Sequence, residues 1–469
     1  MKFVIQNFGP IKRFEYDLNK DMIVTYGNNN IGKSYAMQVV YLLLKVFLSN
    51  VDRMPGTYGQ TYIWTVIEQS KQRERIENLI DSFIASENKE KDITQEVARE
   101  VNNFMTSIFM PEFMNSCKNT FGNLEKALDH NPCILIHHQE YNLEIDLKKS
   151  TIVGEFSKKK VYLKRANSDF RKSKNTEEQL EIYVTKNIEK PVQILYDEIQ
   201  NIFIRYMKLI LSEFNQVYFL PASRSGIYAG MNAFGSIVAE LSKKRNLFNK
   251  KIEFPGISEP ISDYFIALSN IESTRNEIFK QSCDEIEDKI LKGKVTFDTN
   301  RNALMYKPNN VEASYEMTEV SSMVSEIAPI VAFLKFIVSA GYNKNGKSIL
   351  FIEEPEAHLH PNNQIALIEI FSKLMNQDIK LIMSSHSNYV FNKLNNLVLD
   401  RKLDYTVYDP IILEETQEGS VSRHLEIDEL GAMDENFVDV SEALYCERED
   451  IIEKLNMEEG LNDTSNQVM

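Results

Sequence analysis

The sequence predicts an α/β fold around a parallel sheet, and three observations predict it. The run MIVTY (22–26) leads into GNNNIGKS (27–34), and apolar residues then recur at helical spacing through SYAMQVVYLLLKVF, giving strand, glycine loop, helix. Residues 293 to about 400 read as hairpin (KVTFDTNRNALMYK), helix (SSMVSEIAPIVAFLKFIVSA), strand (SILFIEE), helix (NNQIALIEIFSKLMNQ) and strand (KLIMSSHS), the β-α-β-α-β order of a sheet covered by helices. Apolar content of 43% and charged content of 26% over 469 residues suit a globular protein with core enough for two or three domains.

Element by element, KFVIQNF and KRFEYDLN form two strands across a Gly-Pro turn ahead of MIVTY. Residues 66 to 130 read as mostly polar helix. CILIHH, YNLEIDL and KVYLKR alternate like a small antiparallel sheet between 132 and 164, and a long helix is expected over about 176–214. The strand VYFLP and the turn ASRSG follow, then helix to about 291. The expected division is an N-terminal core part at 1–50 and an insert region at 51–292 that includes a core-like segment at 217–226. A C-terminal core part at 293–410 and an acidic segment at 411–469 complete it.

Charge and apolar patterning narrow the function classes. The net charge is -15, and 17 Asp/Glu against Arg423, Arg448 and Lys454 after residue 410 account for nearly all of it. A general nucleic-acid-binding charge is therefore absent. The local exception is KKKVYLKRANSDFRKSK (158–174), read as a solvated hairpin and loop with a phosphate-backbone contact as the competing reading. No apolar run reaches the roughly 20 residues of a membrane span, because Lys45 and Lys335 break the longest ones. Four scattered cysteines without a C-x-x-C pair suit a reducing cytoplasm.

Two stretches fit the phosphate-loop pattern G-x-x-x-x-G-K-[ST]: GNNNIGKS (27–34) and GYNKNGKS (341–348). Such a loop works because backbone N–H groups curl round phosphates at a helix N-terminus, with Lys on the β/γ phosphates and Ser/Thr on magnesium. Only the first has a strand before it and a helix after it. Gly27, Asn28, Asn29, Asn30, Ile31, Gly32, Lys33 and Ser34 are therefore the expected ATP cradle, and GYNKNGKS is read as a helix-to-strand turn.

SILFIEEPEAHLHP ends a buried strand in a carboxylate pair, at the strand end where ligands sit in open α/β sheets. Glu353 is expected to hold Mg²⁺ together with Ser34, and Glu354 to deprotonate the attacking water. A solvated acidic turn and a zinc site from Glu354, Glu356, His358 and His360 are the competing readings. His386, after Ser384 and Ser385 on the next strand, is the candidate γ-phosphate sensor.

Taken together, GNNNIGKS, FIEEPEAHLHP and SSHS resemble the ABC-type ATPases of the SMC/RecF/OLD group, in the bacterial "AAA family ATPase" branch found in phage defence. VYFLPASRSG (217–226) is similar to a segment of that branch. The resemblance implies an ABC-type P-loop ATPase head with helical and small antiparallel β inserts. It also implies two heads closing over two ATP molecules, as a homodimer or higher homo-oligomer, with Ser322 of SSMVSE contacting the partner's γ-phosphate. Met323 and Val324 stand where glycines normally follow that serine, a departure from the usual contact across the dimer, and Glu353 stands where Asp is commoner. Together these departures imply weak turnover, or a nucleotide switch in place of fast hydrolysis. Gln139 in HHQEY takes either the glutamine contact of the group or the place of a surface hairpin residue.

With too few residues after His386 for the Toprim nuclease of OLD-type proteins, the expectation is an ATPase controlling a separate nuclease or toxin, as in PtuA-like or AriA-like systems. The acidic segment reads as surface helices, with an effector-docking surface as the alternative. A RecF-like DNA-repair ATPase binding duplex DNA through 158–174 is the competing function. A transporter subunit fits the inserts poorly, and His424 beside Arg423 is the one hint of a nuclease centre within the chain.

Overall fold

The computed structural model describes residues 1–51, 66–122, 124–128, 130–155, 159–166, 174–176, 178–184, 189–228, 230, 257–271, 277–301, 303–339, 346–375, 377–433, 445–449 and 451–452. An eleven-stranded mixed sheet organises them. Its strands are β1 (Lys2–Phe8), β2 (Ile11–Asp17), β3 (Met22–Tyr26), β4 (Cys133–His137), β5 (Asn142–Asp146), β6 (Thr151–Gly154), β7 (Phe214–Leu220), β8 (Lys347–Glu353), β9 (Ile379–Ser385), β10 (Tyr408–Thr416) and β11 (Gly419–His424). The spatial order is β7-β8-β9-β3-β10-β11-β2-β1-β4-β5-β6. Strands β7, β8, β9, β3 and β10 are parallel. The half from β2 to β6 is an antiparallel meander.

The inner parallel strands β8, β9, β3 and β10 are largely buried on both faces, as their apolar runs require, while edge strand β7 leaves Gln216 exposed. All five residues of β3 are buried, and Ile23 faces one core while Met22, Val24 and Tyr26 face the other. The first core packs helix α1 (Lys33–Val51) with the antiparallel half of the sheet and the inserted helices α2 (Val66–Ala85), α3 (Thr94–Phe121) and α4 (Glu189–Ser212). The second packs α5 (Glu259–Ser269), α6 (Ser322–Ala332), α7 (Pro361–Leu374) and α8 (Asn388–Leu399). Each fully buried Leu or Phe of these cores contributes about 1.5–3 kcal/mol of hydrophobic free energy.

Four expectations are corrected here. The boundary at 410 cuts through β10: residues 411–424 belong to the core sheet, since Ile411 and Ile412 pair with Thr25 and Tyr26 of the loop-bearing strand. Cys133–Asp146 belongs to the main sheet and not to a separate insert, because β4 pairs with β1. KVYLKR joins a different, four-stranded sheet, where Lys160–Arg165 runs parallel to Gln179–Val184. Residues 179–184 are thus a strand where helix was expected. Leu180, Ile182 and Val184 alternate into the core with period two, and the helix begins only at Glu189.

Candidate functional site

Four sequence segments meet at the C-terminal ends of the parallel strands. Register aligns them: Glu353 pairs with Ser384, Ser384 with Thr25, and Ser385 with Tyr26. The glycine loop leaves β3 at Gly27 and enters α1 at Lys33, the strand-loop-helix context a phosphate cradle needs. Two glycines make its shape. Gly27 has φ +138°, and a Cβ there would lie 2.5 Å from the Leu413 carbonyl oxygen. Gly32 has φ +106° and lies under Pro10, whose Cγ would be 3.0 Å from an added Cβ. Asn30 takes the left-handed φ of 63° that Asn tolerates better than most residues.

Lys33 is buried, and its Nζ donates to the carbonyls of Gly27 (2.9 Å) and Asn28 (2.7 Å). Burial pushes its pKa down to about 8, against the opposing pull of Glu354 and Glu356. Its Nζ lies 3.4 Å from His386 Nδ1, and His386 Nε2 lies 3.4 Å from Glu354 Oε1. The His386 hydrogen bond, with Lys33 adding charge, holds the Glu354 carboxyl below its ordinary pKa. Glu354 itself sits in left-handed backbone, φ 43°, a conformation costing roughly 1–3 kcal/mol that surrounding structure has to hold. Lys33, His386 and Glu354 thus form one continuous polar line.

Glu353 points the other way and is buried. Desolvation raises its pKa, while hydrogen bonds from the Ala222 N–H (3.0 Å) and the Ser34 hydroxyl oppose the shift. Gln38 Nε2 approaches its other oxygen at 3.4 Å. A buried carboxylate beside a hydroxyl and a carboxamide is an all-oxygen donor set that fits a hard divalent cation such as Mg²⁺. The competing zinc reading loses its ligands: His360 accepts from Asn362 N–H as the N-cap of α7, and His358 is exposed. Among the described residues no cluster of three or more His, Cys, Asp or Glu is placed to hold a metal.

Other predicted residues lie elsewhere. Lys347, from the second glycine loop, starts β8 at the opposite end of the strands and pairs with Asp21 at 2.7 Å; residues 341–345 are outside the described residues. Gln139 is corrected by register. His137 pairs with Lys2 at the start of β1, a strand whose far end, next to Gly9 and Pro10, is the one that reaches Gly32. Neighbouring His138 contacts Glu213, ahead of β7, so exposed Gln139 sits at the wrong end of the sheet for a nucleotide contact. Ser322 is the exposed first residue of α6. In the basic run, Lys159 pairs with Glu198, Lys164 with Glu181 and Glu90, and Arg165 bonds to carbonyls of residues 83–88; residues 158 and 167–173 of the run are outside the described residues. His424 is held by Asp409 at 2.8 Å, which raises its pKa.

Three residues of the site were not assigned roles from sequence. Gln38 lies one helical turn beyond Ser34, so the i, i+4 spacing was a usable signal. Glu356 reads from sequence only as a competing zinc ligand. Its Oε1 accepts from the Ser385 hydroxyl (2.6 Å) and the His386 N–H (2.9 Å), fixing the loop that carries His386. Arg224, fully buried, donates from Nη1 to the Glu353 carbonyl at 2.8 Å and from Nη2 to the Glu354 carbonyl at 3.2 Å.

Residues 1–391 match the family model described as an AAA ATPase domain. Comparison with curated proteins returns no match. Similar solved structures include the SMC head domain from Thermotoga maritima, 8% identical, covering 91% of this chain and 98% of that one with a TM-score of 0.35. Another is the SmcHead bound to the C-winged helix domain of ScpA, 11% identical, covering 91% and 97% with a TM-score of 0.33. No helix among the described residues is long and apolar enough to cross a membrane.

Proposed function

The chain belongs to the AAA ATPase domain family and is an ATPase, and from that premise we propose that it is an ABC-type head whose ATP-driven closure against a second copy controls a separate effector. ATP binds at Gly27–Ser34, with the N-terminus of α1 and the loop N–H groups receiving its phosphates. Lys33 exchanges its contacts with the Gly27 and Asn28 carbonyls for the β and γ phosphates. Magnesium, when held by Ser34 and Glu353, neutralises charge developing across those phosphates.

The observation that carries the hydrolytic reading is the line Lys33–His386–Glu354, each step 3.4 Å, at one end of the parallel strands. Glu354 stays ionised at neutral pH and accepts the proton of the attacking water. The water oxygen bonds to the γ-phosphorus, the bond to the β–γ bridging oxygen breaks, and ADP leaves with that electron pair. His386 orients Glu354 through Nε2 and steadies the transferring phosphoryl group. Exposed Ser322, at a helix N-terminus, suits a contact across a dimer. Met323 and Val324 after it block the close backbone approach that glycines permit, so turnover is slow. A purified protein hydrolysing ATP at tens per second would overturn that part.

The effector reading places this ATPase in bacterial anti-phage defence, partnered by a nuclease or toxin, in the cytoplasm. It rests on the joint resemblance of the three motifs and on the acidic charge after residue 424, where the described residues 445–449 are exposed. The test is mass spectrometry of what co-purifies with Glu354→Gln protein expressed from its native locus. A stoichiometric nuclease or toxin-like protein supports the reading; duplex DNA with repair proteins and no effector overturns it in favour of a RecF-like role. That second role loses ground because Lys159, Lys164 and Arg165 of the basic run are already engaged within the chain.

A further inference from the structure

We infer that Arg224 is a positioning residue of the hydrolytic site, locking the backbone of Glu353 and Glu354 to Glu326 on α6 so that the carboxylate pair and the helix carrying Ser322 move as one body. The inference rests on the ATPase reading of the site and adds to it a mechanical link between the water-activating residue and the surface a second copy would meet.

Arg224 and Glu326 are both fully buried. The guanidinium spends its fork mainly on backbone. Nε donates to the Glu326 carbonyl at 2.9 Å, Nη1 to the carbonyls of Pro221 (3.0 Å) and Glu353 (2.8 Å), and Nη2 to that of Glu354 (3.2 Å). The Glu326 carboxylate answers by holding the turn that carries the arginine. Its Oε2 accepts from the Arg224 N–H (3.0 Å), and its Oε1 accepts from the Ser225 N–H (3.1 Å) and hydroxyl (2.7 Å). Two residues before Arg224, the Ala222 N–H donates to the Glu353 carboxylate. The turn 222–225 therefore touches the side chain of the expected cation ligand, the carbonyls of both acids, and the second turn of α6.

Two left-handed backbone positions belong to this knot. Ser223 (φ 55°) and Glu354 (φ 43°) are both left-handed, a conformation that persists only where neighbours over-determine it. Glu354 is pinned on both sides, by Arg224 at its carbonyl and by its own N–H on the Ser384 carbonyl at 3.1 Å. A buried guanidinium needs its N–H groups satisfied whatever its role; what links this one to the site is that two of its four carbonyl partners belong to Glu353 and Glu354. Ser322 lies one helical turn before Glu326, so a load on the exposed N-terminus of α6 reaches Glu354 through a single arginine.

The test uses the full chain and begins with the wild type, measuring Mg-ATP affinity by equilibrium dialysis and kcat by phosphate release. A wild type that binds no Mg-ATP overturns the site reading itself, before any variant is considered. Arg224→Lys keeps the charge and loses the fork. Its kcat should fall on the order of 100-fold while the Mg-ATP Kd stays close to wild type. Ser225→Ala removes only the hydroxyl on Glu326, and its kcat should fall about fivefold with Tm and Kd nearly unchanged. If Arg224→Lys does not fold, Ser225→Ala and Glu326→Gln decide by the same split. Unchanged kcat in the folded variants, or kcat, Mg-ATP affinity and Tm falling together, overturns the inference in favour of a purely structural pair.

Discussion

Glu354→Gln separates proton acceptance from every other property of the site. The amide matches the carboxylate in shape, so the left-handed backbone at 354, the Ser384 carbonyl contact and the Arg224 contact are all retained. What is lost is a base held ionised by His386 at 3.4 Å. A positioned general base contributes about 10²- to 10⁴-fold, or roughly 3–5 kcal/mol of barrier at 1.36 kcal/mol per decade. The stability cost is small: the two side chains are 30% and 40% exposed, and such half-exposed pairs contribute about 0–1 kcal/mol. Because the Glu354 pKa lies below its usual 4.5, that contribution is present above pH 4.5 and disappears as pH falls through the depressed value. Affinity for ATP should hold or tighten, since one negative charge beside the phosphates is removed. The assay pairs single-turnover phosphate release with Mg-ATP affinity and with the fraction of dimer at saturating ATP, where the variant should accumulate as a long-lived ATP-bound dimer. A variant hydrolysing ATP within threefold of wild type would show that another group activates the water and that the line through His386 is structural.

Further outcomes follow from the same geometry. Lys33→Ala should abolish Mg-ATP binding, whereas Lys347→Ala should leave it intact and cost at most ~1 kcal/mol through its pair with Asp21; the reverse result would reassign the phosphate loop. Lys33, whose pKa burial lowers to about 8, regains its proton when phosphates arrive, so the bound state holds more protons than the free state. ATP affinity should therefore be flat below pH 8 and weaken as pH rises above it, with proton uptake seen by calorimetry in buffers of different ionisation heat; no uptake at pH 8.5 contradicts this. Gly27→Ala places a Cβ 2.5 Å from the Leu413 carbonyl oxygen and 2.8 Å from Ile31 Cδ1 at φ +138°. It should destabilise the chain by about 1–3 kcal/mol and weaken nucleotide binding, and an unchanged Tm would rule that out.

By itself the sequence determined the α/β class and which of the two glycine loops stands between a strand and a helix, because both are written in local order. A strand before and a helix after Gly27–Ser34 is a neighbour relation along the chain, as is the burial of SILFIEE up to its carboxylates. The structure brings Lys33, Ser34, Glu353, Glu354 and His386 together at one strand end, and each comes from a segment whose period already named its element. Pairing partners are not written locally. The alternation of QLEIYV and KVYLKR does not say which sheet they join, and the residues after 410 read as acidic until β10 is seen to pair with β3. Gln139 shows the same limit: a hairpin tip carries no record of which end of the sheet it occupies, and of its two readings the structure places it as the exposed hairpin residue. Arg224 and Glu326 lie 102 residues apart. An arginine in a turn and a glutamate in an apolar helix gain their meaning only when tertiary packing excludes water from both, since only then must each polar group find its partner within the fold.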